Sequence, residues 1–307
     1  MTLIKFFTFI KKIKKQNYER NVKKSNINTI VFRDEFNSPL DYLCLFENKD
    51  IKYLTFGNKF NQCVDILPDS IIEITFGDNF NKQVNNLPKF IKKIIFGYEF
   101  NQLVDNLPNS VTDLIFGNNF NQCVEYLPNS IIHLEFGYKF NHSVEYLPKF
   151  IKKIIFDCKF DQFVDNLPHE LIRLEFGCNF NQPVINLPNS IISLTFGSNF
   201  NQPVNNLPNS IISLTFGSRF NNSVDNLPNS IISLTFGLCF NQNIDNLPNS
   251  ITHLILGDSF NKNIDNLPDS IISLEVGFCF NQPIKKLLKS LKQTNYLLRR
   301  HLTNTII

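Results

Sequence analysis

Apolar positions return along this chain with a period of 20 residues, and within each period they alternate in only one short stretch. In the unit Leu187 to Asn206, the phases that stay apolar from copy to copy are Leu187, Ile191, Leu194, Phe196, Phe200 and Val204. Leu194 and Phe196 alternate with Ser193 and Thr195. Period two predicts a brief strand with one buried face. Gly197 ends it. The remainder, from Asn201 to Ser210, is too rich in Asn and Pro for a helix, and its apolar spacing is not 3.6. Each unit is therefore predicted to be one strand plus a turn-rich return. A unit this short is a single coil of chain, which buries its apolar side only by stacking on its neighbours. The pattern predicts a β-rich solenoid with a parallel sheet along one side.

Phe-Asn marks the beat at 60, 80, 100, 120 and 140 and from 180 through 280, with Phe160-Asp161 as the variant. Counting these pairs gives eleven regular units over 60–279, a degenerate first unit over 36–59 and a stub at 280–284. Leu187 to Ser198, Leu207 to Ser218 and Leu227 to Gly237 are near-verbatim copies. The stretch 87–96 recurs at 147–156, a pattern of growth by duplication. The ends are read as caps on the solenoid: a basic amphipathic segment over 1–35 and a basic helix over 285–307.

The recurring phases carry architectural expectations. Phe180, Phe200 and their equivalents are expected to stack as an aromatic spine. Asn181 and Asn201 are expected to face inward and bond the turn backbone of their own and neighbouring coils. All 11 Gly of the chain fall at one phase, among them Gly197 and Gly217, with Asp157 as the break. Gly there implies either a positive φ or a tight approach to the next coil. Asp tolerates left-handed backbone, which fits the exception under the first alternative. Pro188 and its equivalents restrict the return segment.

These features resemble the FNIP repeat family, known from amoebae and the large viruses that infect them. The motif stands here as Phe180-Asn181-Gln182-Pro183, Phe200-Asn201-Gln202-Pro203 and Phe280-Asn281-Gln282-Pro283-Ile284, and the stretch Leu207 to Gly217 matches as well. Most units lack Pro at the fourth motif position, as at Cys63, Gln83, Leu103 and Ser143. The resemblance implies a leucine-rich-repeat-like, right-handed coil with the parallel sheet on its concave face. Members of the family often carry an N-terminal F-box, which would make them substrate adaptors of ubiquitin ligases. No F-box pattern is legible in 1–35.

Charge narrows the function classes. Residues 1–26 carry +7 and residues 285–307 carry +6; against a chain total of +3, this leaves −10 on 27–284. A nucleic-acid protein normally carries its basic stripe on the body, so nucleic acid is not an expected partner. The seven Cys show no zinc or redox spacing, although Cys158 and Cys178 share one phase of adjacent coils, about 5 Å apart by the strand spacing. Nothing at the N-terminus reads as a secretory signal, and the chain is expected to be intracellular and cytoplasmic.

Candidate chemistry is sparse. The five His do not assemble with a nucleophile and an orienting acid, and no phosphate loop is present, so no enzyme, cofactor or metal is expected. An acidic row, including Asp65, Asp105, Glu125, Glu145, Asp165, Asp225, Asp245 and Asp265, offers one acid per coil, too few ligands for Ca²⁺. The Lys clusters 89/92/93 and 149/152/153 fit a solvated rim copied by duplication. Variety is concentrated on the strands of the first half: Glu73, Lys93, Asp113, His133, Glu135, Lys153, Arg173 and Glu175. The second half presents repetitive Ser and Thr. A specific partner requires variety, so these eight residues are the candidate partner-binding set; the competing reading is older copies that have drifted.

The expected function is a non-catalytic protein-interaction scaffold acting as a monomer on a protein partner. Two alternatives stand beside it. One is a degenerate F-box-type adaptor. The other is a membrane-surface protein held by 1–26, where Leu3, Phe6, Ile10 and Ile13 follow helical spacing among lysines.

Overall fold

The computed structural model describes residues 20, 22–25, 28–40 and 50–283. The chain forms two compact units, residues 1–142 with 146–151, and residues 143–145 with 152–307. In the first, β1 (Val22–Ser25), β2 (Thr29–Phe32), β3 (Tyr53–Thr55), β4 (Glu73–Thr75), β5 (Lys93–Ile95), β6 (Asp113–Ile115) and β7 (His133–Glu135) follow in order. In the second are β8 (Lys153–Ile155), β9 (Arg173–Glu175), β10 (Ser193–Thr195), β11 (Ser213–Thr215), β12 (Ser233–Thr235), β13 (His253–Ile255) and β14 (Ser273–Glu275). Within each unit successive strands from β2 onward pair in parallel, one strand per coil. The register is the repeat itself: Ser193 lies against Ser213 and Leu194 against Leu214. This is the β-solenoid the 20-residue period implies.

Among the described residues no helical cap is present. Residues 1–19 and 284–307, on which most of both caps would fall, lie outside the described residues. Where the N-terminal segment is described, β1 and β2 pair antiparallel, and β2 already stands in parallel register with β3. The sheet thus begins inside the stretch read as a cap. The reason is visible in Thr29-Ile30-Val31-Phe32, a β-branched run whose Ile30 and Phe32 are buried like Leu54 and Phe56.

All six apolar phases face the core. Ile191, Leu194 and Phe200 are completely buried, and no described polar or charged residue is buried with them. The expected spine proves to be two columns. Phe180, Phe200 and Phe220 stack along one, with ring centroids 6.0 and 6.1 Å apart. Phe176, Phe196 and Phe216 stack along the other at 5.8 and 5.6 Å. The tightest contact joins the columns within a coil, Phe196 on Phe200 at 3.7 Å and 9° between planes. The turn at Gly197 folds the second ring back onto the first, and Phe200 N–H donates to Gly197 O.

Three turns and the strand complete each coil. The second turn is closed by Leu67 N–H donating to Val64 O, and the third by Ile191 N–H donating to Pro188 O. The strand triplet is too short to satisfy the backbone alone, so coil-to-coil bonds continue past it. Ile212 N–H donates to Ile192 O at 2.9 Å and Asn199 N–H to Cys178 O at 2.8 Å.

The glycine phase is a matter of space. None of these glycines has a positive φ, and a Cβ placed on Gly197 would overlap the carbonyl of Gly177 in the preceding coil. The left-handed explanation for the glycine phase is therefore set aside; the one exception in that phase is Asp157. Its carboxylate serves its own turn, Oδ1 accepting from Cys158 N–H at 2.6 Å.

The asparagine phase is also revised. Asn201 is exposed and does not face inward. Its Oδ1 accepts from Asn221 N–H at 2.9 Å in the next coil, and Asn181 Oδ1 does the same for Asn201 N–H at 2.8 Å. The same bond recurs as a ladder from coil to coil within each unit. It demands an acceptor oxygen and no amide donor, which explains Asp161: its Oδ1 receives Asn181 N–H at 2.9 Å. Accordingly, Asn201→Asp is expected to leave the urea midpoint nearly unchanged, whereas Asn201→Ala removes about 1 kcal/mol. Equal losses in the two variants would show that the ladder is not what holds that phase.

A second ladder escaped the sequence reading. Ser190, Ser210, Ser230, Ser250 and Ser270 each donate Oγ–H to a carbonyl of the preceding coil at 2.6–2.7 Å. The constancy of Ser after Leu-Pro-x was the available signal.

Candidate functional site

The strand triplets place one residue inward and two outward, so each coil contributes two side chains to the open face of its sheet. In the first unit the candidate residues Glu73, Lys93, Asp113 and His133 form one row on β4 to β7, at directly opposed register positions. Glu135 lies on the second row. In the second unit Lys153 and Arg173 oppose each other on β8 and β9, with Glu175 on the second row.

The geometry changes what this variety means. Glu73 and Lys93 form an ion pair at 3.2 Å. His133 Nδ1 lies 2.7 Å from Asp113 Oδ1. The row in the first unit is a set of complementary neighbours as well as a varied surface. In the second unit like charges face each other, Lys153 against Arg173, an unfavourable pairing for directly opposed residues. Arg173 Nε donates to Glu175 Oε1 on its own strand. All these groups are partly solvated, where an ion pair is worth about 0–1 kcal/mol. Such pairs are readily exchanged for contacts with a partner.

Asp113 is the most constrained member. Burial by itself would raise its carboxyl. The hydrogen bonds from Thr112 and His133 and the charges of His133 and Lys93 outweigh that and hold it below the usual carboxylate range. A depressed folded value adds stability above the unfolded value of about 3.9. That stability is lost as pH falls through the lower folded value. Wild-type stability is therefore expected to decline on acidification below about pH 5, and Asp113→Asn to remove a share under about 1 kcal/mol of that decline. Urea titrations at pH 6 and pH 3.5 test this; an unchanged pH slope in the variant contradicts it.

Thr112, Asp113 and His133 bring a hydroxyl, an acid and an imidazole into one neighbourhood, which the sequence reading did not anticipate. Their order is wrong for nucleophilic catalysis. Thr112 Oγ1 donates to Asp113 Oδ2 at 2.6 Å and His133 bonds Asp113 Oδ1, so both contacts end on the carboxylate. A triad needs the imidazole between hydroxyl and acid, where it can take the hydroxyl proton. Thr252 and His253 lie 2.8 Å apart as chain neighbours.

The acidic row and the lysines are tied into the coil as well. Asn246 Nδ2 donates to Asp225 Oδ1 and Asn266 Nδ2 to Asp245 Oδ1, both at 3.1 Å. Hydrogen bonds from Ser223 and Asn246 hold the Asp225 carboxyl below its ordinary value. Among the described residues no three His, Cys, Asp or Glu are grouped to hold a metal ion. Lys89 pairs with Asp69 at 2.9 Å and lies 5.1 Å from the Phe90 ring. A shallow depression of ≈ 240 Å³ in the second unit is lined by Glu145, Phe163 and Asp165 among others. Small-molecule sites are usually larger and closed. No described helix is long and apolar enough to cross a membrane.

The coil, its Phe-Asn turns and its outward rows can now be set beside known proteins. The FNIP Repeat family matches at residues 102–139, 180–206, 203–239 and 240–279. The protein carries FNIP repeats. In three dimensions it is similar to CroV588, a circular leucine-rich-repeat protein of a giant virus, at 44% identity and a TM-score of 0.77. That match covers 84% of this chain and 41% of the other, so the chain spans well under half of that protein's length. It is also similar to the internalin InlF of Listeria monocytogenes, with a TM-score of 0.64 over 88% of this chain and 86% of the other. Identity there is 14%, which bears on the fold alone. No curated protein matches the chain in sequence. The FNIP repeats thus form a leucine-rich-repeat-like β-solenoid, a fold consistent with a protein-interaction scaffold.

Proposed function

We propose that this FNIP-repeat protein is a non-catalytic scaffold that binds a protein partner on the open face of its sheet. Glu73, Lys93, Asp113, His133 and Glu135 carry the contact in the first unit, and Lys153, Arg173 and Glu175 in the second. One observation carries the reading. On the same strands the inward position stays Ile or Leu while the outward row changes at every step, from Glu73 to Lys93 to Asp113 to His133. Packing alone accounts for the first and asks nothing of the second beyond mutual neutrality. The Ser and Thr rows on β10 to β12 show that this fold tolerates a uniform outward face.

The scaffold is proposed to act inside the cell. The F-box and membrane-surface alternatives depend on residues that lie largely outside the described ones, and no observation on the described residues favours either. The test is affinity capture with the full chain from the cell that makes it. The proposal expects a defined protein retained at near-stoichiometric yield; repeated capture with no specific partner overturns it.

A further inference from the structure

Among the described residues one pair of thiols is built into adjacent coils. Cys158 and Cys178 are the second residues of consecutive Gly-phase turns, Asp157 to Phe160 and Gly177 to Phe180. The parallel register of β8 on β9 carries through to these turns, and Asn179 N–H donates to Cys158 O at 3.0 Å. Backbones held this way lie about 4.8 Å apart, inside the roughly 4.4–6.8 Å Cα window of a disulfide. The two thiols are hydrogen-bonded to each other, both are free, and both are partly exposed. The other described cysteines lack this geometry. Cys63 and Cys123 share a phase three coils apart, and Cys239 and Cys279 share one two coils apart, roughly 14 and 10 Å by the rung spacing.

We infer that Cys158 and Cys178 form a reversible dithiol–disulfide site that takes low-molecular-weight disulfides of the glutathione class as oxidant. One cysteine, as thiolate, attacks the small disulfide. It forms a mixed disulfide and expels one small thiolate. The second cysteine, as thiolate, attacks the protein sulfur of that mixed disulfide and expels the other. The two protons lost by the cysteines end on the two released thiols. One protein S–S bond forms, one small S–S bond breaks, and the oxidant is reduced to two thiols. The closed bond links the turn of the coil that has Asp157 to the turn of the next, replacing a thiol–thiol hydrogen bond with a covalent rung. The hydrogen bond with Cys178, followed by burial, pushes the Cys158 thiol up to about 11. Its thiolate is scarce near neutrality, so the step that needs it quickens as pH rises towards that value.

The experiment uses the full-length protein in buffers of oxidised and reduced glutathione at mildly alkaline pH, with free thiols alkylated at each time and the protein digested without reduction. The expected result is a Cys158–Cys178 cross-linked peptide, a loss of two alkylatable thiols of the seven in the chain, and full reversal on adding reduced glutathione. Cys158→Ser and Cys178→Ser should each stop at a glutathione adduct on the remaining cysteine, while Cys239→Ser closes like wild type. Wild-type protein in which both cysteines stay free, or end as two separate glutathione adducts, overturns the assignment. Peptide mapping of wild type decides between these outcomes even if a serine variant folds poorly, and it does so whether or not a protein partner exists.

Discussion

Phe200→Ala is expected to lower folding stability by about 4 kcal/mol, near the upper end for an aromatic removed from a core. The ring is fully buried and contacts three others: Phe196 in its own coil at 3.7 Å, Phe180 in the preceding coil at 6.0 Å and Phe220 in the next at 6.1 Å. Truncation leaves a cavity that the neighbours cannot fill, because each is held in its own column at the coil spacing. In a stack where each coil contacts only its neighbours, the loss falls on two interfaces at once. Urea denaturation followed by far-ultraviolet circular dichroism measures the effect. Phe163→Ala is the control; that ring is 68% exposed and its removal should cost within about 0.5 kcal/mol. Similar losses for the two variants would contradict the double-column core.

Gly197→Ala should cost about 3 kcal/mol, the upper range for forcing atoms into a packed site. The new Cβ would overlap the Gly177 carbonyl, a backbone atom that cannot swing away as a side chain can. To make room, these two coils must separate, which weakens the bonds from Phe176 N–H to Thr195 O and from Asn199 N–H to Cys178 O on either side of the turn. Gly197→Asn separates the two explanations of this phase. Were left-handed backbone the cause, Asn would be tolerated better than Ala. Close stacking predicts that Asn is at least as damaging, read as the shift in thermal midpoint.

Most of the fold was legible because a repeat reports its own register. Once Leu194 and Phe196 are read as inward and Gly197 as a corner, a 20-residue step puts Leu194 beside Leu214, and the parallel sheet follows. The details that escaped depend on how a turn closes in space. Phe196 and Phe200 are four residues apart, and only the Gly197 turn brings their rings face to face. Asn201 looked like an inward donor and acceptor, yet the acceptor alone is used, at the surface, as Asp161 demonstrates. Thr29 to Phe32 was hidden as the first rung because the spacing to Tyr53 is longer than the repeat.

The outward strand positions of the candidate residues were legible in the sequence, and their electrostatics were not. Glu73 and Lys93 look unrelated at 20 residues' separation, and the register makes them partners. The same holds for Asp113 and His133. Thr112 gave no sign of joining them, since a residue just before a strand has no fixed direction until the coil-to-coil bonds set it. Because neighbouring charges satisfy one another, the row costs the fold little, and its departure from uniform Ser and Thr is left for function to explain.

The central claim is that the recurring phases build the solenoid and the changing outward row selects the partner. The most direct measurement grafts the uniform row of β10 to β12 onto β4 to β7, by Glu73→Ser, Lys93→Ser, Asp113→Ser and His133→Ser together in the full-length chain. Thermal midpoint and partner retention are then compared with wild type. The account predicts a midpoint within a few degrees of wild type, as befits exposed pairs worth about 0–1 kcal/mol each. It also predicts that partner affinity falls at least about tenfold, or 1.4 kcal/mol. A well-folded graft that holds the partner as tightly as wild type would contradict it.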